Sequence, residues 1–292
     1  MDQSAQLVVD ARATLGEGPV WHSGQQRLTW VDIQAGKLHV YAPDGEPDRV
    51  YDVGCLVGAA VPRRSGGMIL ATEHGFEAFD LETCRRTPLG DPEAGLPTNR
   101  FNDGKCDARG RFWAGTMSMV REQGAGSLYV LEPSGEIRHV LGGVTTSNGL
   151  GWSPDGRTMY YIDTPTLQVA AFDFDQERGT IAGRRVAVSF PEGVGRPDGM
   201  AVDEEGMLWI AHWDGGRVTR WDPDAGSLLA TIRVPAERTS CCAFGGEDLE
   251  TLFITTARHG LADAALERQP QAGGLFAARP GVRGLASHAY AG

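Results

Sequence analysis

Short apolar runs bounded by turn residues recur along the chain. Leu28-Thr29-Trp30-Val31-Asp32, Met68-Ile69-Leu70-Ala71-Thr72, Arg111-Phe112-Trp113-Ala114-Gly115, Met159-Tyr160-Tyr161-Ile162-Asp163, Met207-Leu208-Trp209-Ile210-Ala211 and Thr251-Leu252-Phe253-Ile254-Thr255 read as strands. They follow one another at about 40 to 50 residues, the spacing of propeller blades. After most of them comes a second strand and a turn rich in Asp, Pro and Gly, as in Lys37 to Tyr41 before Pro43-Asp44-Gly45 and Ser127 to Leu131 before Pro133-Ser134-Gly135. Each copy is therefore a small antiparallel meander. One meander cannot bury both its faces, whereas six stacked radially can, and only short, protected edges remain. The pattern predicts an all-β, six-bladed propeller spanning residues 1–292 as one domain, since no linker or low-complexity segment interrupts the series. Leu7-Val8-Val9 is placed to close the ring against Gly274-Leu275-Phe276-Ala277. The competing open β-sandwich is disfavoured by the even spacing.

Composition supports a cored, soluble chain: 41% of the residues are hydrophobic and 22% charged, outside the range of disordered sequences. A length of 292 residues fits one large all-β domain or two average ones, and the repeat decides for one. The net charge of −11, with no basic stripe, makes nucleic acid a poor partner. No segment approaches the roughly 18 apolar residues of a membrane span, and the start of the chain lacks a basic, apolar leader, so no membrane partner and a cytoplasmic location are expected. Five cysteines at irregular spacing, two of them adjacent, suit neither a disulfide framework nor a paired zinc motif and are expected to be free, buried thiols.

Counting back about ten residues from each run lands at one repeated place, the start of the strand nearest the axis. In blades one, three, four and five this place holds Glu17, Asn102, Asn148 and Asp198, in Gly16-Glu17-Gly18-Pro19, Phe101-Asn102-Asp103-Gly104, Ser147-Asn148-Gly149 and Pro197-Asp198-Gly199. In blades two and six it falls near Gly58 and Cys241, which bring no hard ligand. Radial geometry would carry the four oxygen-bearing side chains to one axis, where they make a cage for a hard divalent cation. Asn-Gly and Asp-Gly pairs are also ordinary turn formers. That reading leaves unexplained a Glu between two glycines at the same offset, and the two blades that lack the pattern. The seven histidines show no HExxH spacing and accompany no nucleophile elbow. His212 could line the channel, and Trp30, Trp113, Trp152, Trp209, Trp213 and Trp221 are expected to pack between blades.

These residues, together with Leu15-Gly16-Glu17-Gly18-Pro19-Val20-Trp21, the stretch Asn99 to Met117, Ser147-Asn148-Gly149-Leu150, Pro197-Asp198-Gly199-Met200 and Ser240-Cys241-Cys242, make the chain resemble the SMP-30/gluconolactonase family, especially its regucalcin-like members. The likeness continues in the segment Gln269 to Gly274 and the final Tyr290-Ala291-Gly292. The resemblance implies a six-bladed propeller with one divalent metal held by Glu17, Asn148 and Asp198, Ca²⁺ being favoured and Zn²⁺, Mn²⁺, Mg²⁺ and Fe²⁺ left open. It also implies that Arg100 and Asn102 bind substrate and that Asp198 handles the proton. Regucalcin-like members carry an acidic substrate contact where simple alignment puts Val120, with Glu122 displaced. That departure leaves the sugar open while the metal set is intact.

Hydrolysis of a lactone develops negative charge on the carbonyl oxygen, which a divalent ion can stabilise while a carboxylate accepts the proton of the attacking water. The expected activity is thus the opening of a sugar lactone such as gluconolactone. Rival readings are a hydrolase of another ester such as a phosphotriester on the same site, a non-catalytic interaction propeller, and a calcium-binding role. The absence of WD40 Gly-His and Trp-Asp signatures counts against the second.

Overall fold

The computed structural model describes residues 2–292. It consists of six sheets, each at least four strands wide, arranged as the blades of a propeller. The innermost strands are Gly16–His22, Val57–Pro62, Asn99–Cys106, Ser147–Trp152, Arg196–Val202 and Thr239–Gly245, and each touches the next around a closed ring. The six apolar runs of the sequence become the second strands, each paired antiparallel with the innermost strand before it.

Six convergent strands leave little room on the axis, and their sequences are accordingly rich in small residues. At Gly58 a Cβ would lie 2.3 Å from the Phe101 carbonyl oxygen, and at Gly149 it would lie 2.7 Å from that of Asp198. Only glycine lets neighbouring blades approach so closely at these points.

Six hydrophobic clusters fill the six gaps between blades. One joins Val61, Ile69 and Phe76 of blade two to Phe101, Phe112 and Leu131 of blade three, and another joins Trp209 and Val218 of blade five to Phe244 and Ile254 of blade six. The tryptophans pack as expected. Trp30 stacks on His39 with ring centroids 3.8 Å apart, while Trp113 and Trp209 each donate Nε1–H to a buried carboxylate six residues earlier, Asp107 and Asp203, at 2.9 Å.

Ring closure follows the expected pairing. Gln6–Val9 is the outermost strand of blade six and runs antiparallel to Leu275–Ala278, with Leu7 opposite Phe276. The sequence pattern did not announce the strand before it, Asp2–Ser4, which adds to blade five in parallel beside Ser227–Arg233. The start of the chain therefore ties two blades together.

One short helix, Asp263–Arg268, interrupts blade six, and no helix among the described residues is long and apolar enough to cross a membrane. After the last strand the chain crosses the face opposite the starts of the innermost strands. Leu285 N–H donates to the Val202 carbonyl, Tyr290 N–H to that of Pro62 and Ala291 N–H to that of Gly110. The cysteines are all free, but only Cys106, Cys241 and Cys242 are buried; Cys55, in the connection into Val57–Pro62, is half-buried against the core between blades one and two, and Cys84 is exposed beside the turn at 81–83.

Candidate metal centre

All six innermost strands slip register against their partners at the same level: between Glu17 and Val20, Val57 and Ala59, Phe101 and Asp103, Ser147 and Leu150, Pro197 and Met200, and Thr239 and Cys241. A bulge re-aims the side chain that it carries. Repeated around the ring, it gives each blade one position turned toward the axis. Asn102, Asn148 and Asp198 lie inside these slips, and Glu17, paired with Val31, lies at the edge of its own; all four are buried. Blade two has Gly58. In blade six the bulged residue is Ser240, one place before the expected Cys241, since the slip falls directly after Thr239. Its hydroxyl is spent on the Gly16 carbonyl at 2.5 Å, so it offers no free ligand.

Hydrogen bonds orient these side chains. Asn148 donates Nδ2–H to Thr164 Oγ1 at 2.8 Å, and Thr164 in turn donates to the Pro197 carbonyl at 2.9 Å. With its nitrogen so occupied, Asn148 presents its oxygen to Asn102, whose Nδ2 lies 3.3 Å away and also donates to the Ser147 carbonyl at 2.8 Å. Arg100 donates from Nη1 to the Phe101 carbonyl and to Asn102 Oδ1, both at 2.8 Å. Sequence reasoning missed Thr164, which comes from a 3-10 turn, Thr164–Thr166, between two strands of blade four.

A third carboxylate belongs to the group. Asp103, next to the bulged Asn102, is buried and accepts the Gly104 N–H at 2.6 Å. Burial pushes Glu17 up to about 8, the Asp103 charge adding to the effect while the Gly18 N–H and Arg100 oppose it. Asp198 is held well above the usual carboxylate range by burial and then by the Glu17 and Asp103 charges. Asp103 is raised by burial against the pull of Lys105, and burial lowers Arg100 to about 10.

Three buried carboxylates that repel one another, with amide oxygens beside them, need positive charge that Arg100 and Lys105 only partly supply. A hard divalent cation is the species that such an all-oxygen donor set would accept, and by their oxygen donors Glu17, Asn148 and Asp198 would be the residues to hold it. The donors fit the ion.

Other candidates fall elsewhere. His212 does not line the channel: it is buried in the second strand of blade five, its Nε2 2.6 Å from Thr219 Oγ1 and its ring edge-on to Phe190. Val120 and Glu122 are both exposed in the connection that follows Phe112–Ser118. A group not singled out in the sequence, Cys55, Glu73 and His74, brings sulfur, oxygen and nitrogen ligand atoms within 4.8 Å of one another. Two of its three side chains already hold other partners, since Arg86 contacts the Cys55 sulfur at 2.7 Å and the Leu56 N–H donates to Glu73.

A six-bladed propeller with a buried, oxygen-lined chamber on its axis is the class that fold and site define. Within that class the chain belongs to the SMP-30/gluconolactonase/LRE-like family, which it matches over residues 15–258. It is 39% identical to the Bacillus subtilis protein YvrE, named for a sugar lactone lactonase, over 99% of both chains. Identity to the regucalcin of Xenopus laevis is also 39%, over 98% of both. Among solved structures it resembles the calcium-binding protein regucalcin from Agrobacterium tumefaciens, with a TM-score of 0.94 and 30% identity over 99% of this chain and 98% of that one.

Proposed function

We propose that this chain hydrolyses a sugar lactone, an aldonolactone such as gluconolactone, in the axial chamber. Lactone hydrolysis is the activity to which its family and its likeness to a named sugar lactone lactonase point. The observation that carries the reading to particular residues is the set of oxygen donors at the register slips of four of the six innermost strands, three inside the slip and Glu17 at its edge. Glu17, Asn148 and Asp198 would hold one divalent ion, Ca²⁺ in first place. Bound there, the ion supplies Lewis-acid stabilisation of the charge that develops on the lactone carbonyl oxygen.

The protein's own groups do the rest. Asp198 would accept the proton of the attacking water, being a buried carboxylate beside the ion's other donors. Arg100, braced by its bonds to the Phe101 carbonyl and Asn102, keeps N–H groups to donate to sugar hydroxyls, and Asn102 fixes the ring beside it. Spontaneous opening of such lactones is already appreciable near neutral pH, so orientation and one base suffice.

The test is turnover of a panel of aldonolactones by metal-stripped protein after Ca²⁺, Mg²⁺, Mn²⁺, Fe²⁺ or Zn²⁺ is added back singly, with Asp198→Asn and Arg100→Ala alongside. We expect Asp198→Asn to retain some metal and lose nearly all rate above buffer. Arg100→Ala should chiefly raise KM, with metal affinity unchanged. Parental kcat in metal-loaded Asp198→Asn would transfer the base role to Asp103. No rate above buffer on any lactone with any ion removes the lactonase reading altogether.

A further inference from the structure

Below the bulges the innermost strands run on to the opposite face of the ring, where their ends enclose a second chamber of about 370 Å³. None of Glu17, Asn148 and Asp198 lines it. Its walls are mainly apolar, built from Pro19, Ala201, Ala243, Phe244 and Trp152, and the strap at the end of the chain borders it with Leu285, Ser287 and His288. The strap is pinned on either side, by Leu285 N–H on the Val202 carbonyl at 3.3 Å and by Tyr290 N–H on that of Pro62 at 2.8 Å. The volume falls in the range of small-molecule pockets, about 300 to 1,000 Å³.

Lys105 gives this chamber its chemistry. Its ammonium is half-buried and donates to the Met200 carbonyl at 2.6 Å, which uses one of three N–H donors. Among the described residues no Arg and no second Lys lines the space, and burial lowers the pKa of His288, which does line it. The carboxylate at the rim, Asp155, is occupied by the Ser153 hydroxyl at 2.6 Å and the Arg157 N–H at 3.1 Å. A single cation at the end of an apolar cavity selects an anion of one charge with an apolar body. A dianion would bury a charge without compensation, and a neutral ligand would forgo the charge-assisted bond that low local dielectric strengthens.

We propose that the lower chamber is a binding site for an amphipathic carboxylate, its charged end on Lys105 Nζ and its apolar body against Trp152, Phe244 and Leu285. The site is independent of lactone chemistry, and so is its test. Calorimetric titration of calcium-supplemented protein with 2-naphthoate should give saturable, one-to-one binding. The neutral analogue 2-naphthamide should bind about tenfold or more weakly, the loss expected for one charge-assisted hydrogen bond. Lys105→Met should weaken naphthoate by a similar factor. Ser287→Trp, on the strap and remote from the inner strands, should block binding with the blades intact, and Glu17→Ala should leave it unchanged. Four results would each overturn the proposal: no saturable binding, equal affinity for acid and amide, parental affinity in both Lys105→Met and Ser287→Trp, or loss of binding in Glu17→Ala, which would put the ligand in the metal chamber.

Discussion

Asn148 has one way to serve a cation, because its amide nitrogen is committed to Thr164 and only its oxygen remains. Thr164→Val keeps the volume of that partner and removes the acceptor. Outer partners of this kind are worth about 10- to 100-fold in metal affinity, so we expect calorimetry to show a loss of that order for Ca²⁺, with a stability cost of only about 1–2 kcal/mol. Unchanged affinity would mean that Asn148 orients itself. Glu17 predicts a pH effect. Its carboxyl is raised from 4.5 to about 8 in the folded, metal-free chain, chiefly by burial. A raised carboxyl holds its proton more tightly folded than unfolded, so its stabilising contribution is full below the unfolded value and drains away as pH climbs through the folded one. Melting of chelated protein should accordingly fall in temperature between pH 5 and 8, and Glu17→Gln should flatten that slope. Glu17, Asn102, Asn148 and Asp198 were legible in the sequence because the repeat puts them at one offset. Thr164 was not, because it belongs to a connection that no other blade shares.

At the level of the strand, the bulge is what converts a repeat into a site. Innermost strands so close together leave no slack, and Gly58 marks a tight backbone approach, its missing Cβ facing the Phe101 carbonyl at 2.3 Å and the Asn102 nitrogen at 2.8 Å. Those neighbours are backbone and cannot swing away. Gly58→Ala should therefore push back the strand that carries Arg100 and Asn102. Denaturant unfolding is expected to show a loss of about 1–3 kcal/mol, the usual cost of overpacking, and KM for the lactone should rise with it. A variant as stable and active as the parent would show that blades two and three can part without consequence. The second strands were easy to find, since both faces lie in blade cores and the apolar runs are continuous. In blade six the offset falls near Cys241 and the slip itself on Ser240, because register depends on pairing and both residues are small. Outermost strands such as Arg49–Asp52 are largely exposed and carry no apolar alternation to read. Asp2–Ser4 joins blade five by parallel backbone pairing, which needs no apolar alternation and leaves no such pattern to read.

The molecule as a whole depends on its seam. Every core lies between two blades, so no blade is stable by itself, and the ring holds only where the first residues of the chain complete its last blade. Gln6–Val9 covers the edge of Leu275–Ala278, and Leu7 and Val8 pack into the clusters on either side of blade six. Nearby, Ala13 N–H bonds the Gly273 carbonyl and Ser240 Oγ the Gly16 carbonyl, which sets the strand bearing Glu17 against blade six. Removing residues 1–9 would expose an unpaired strand edge, a template for association between chains. It would also withdraw Ala5, Leu7, Val8 and Val9 from the cores, worth together about 3–5 kcal/mol at partial burial. We expect the shortened chain to melt about 10 °C lower, to form dimers or larger species on size exclusion, and to bind Ca²⁺ more weakly because the Glu17 strand loses its support. A synthetic peptide of residues 2–9 added in trans should reverse all three changes by re-forming the strand. A shortened chain that stays monomeric, melts with the parent and keeps its metal affinity would show that the covalent continuity of the six blades closes the ring unaided.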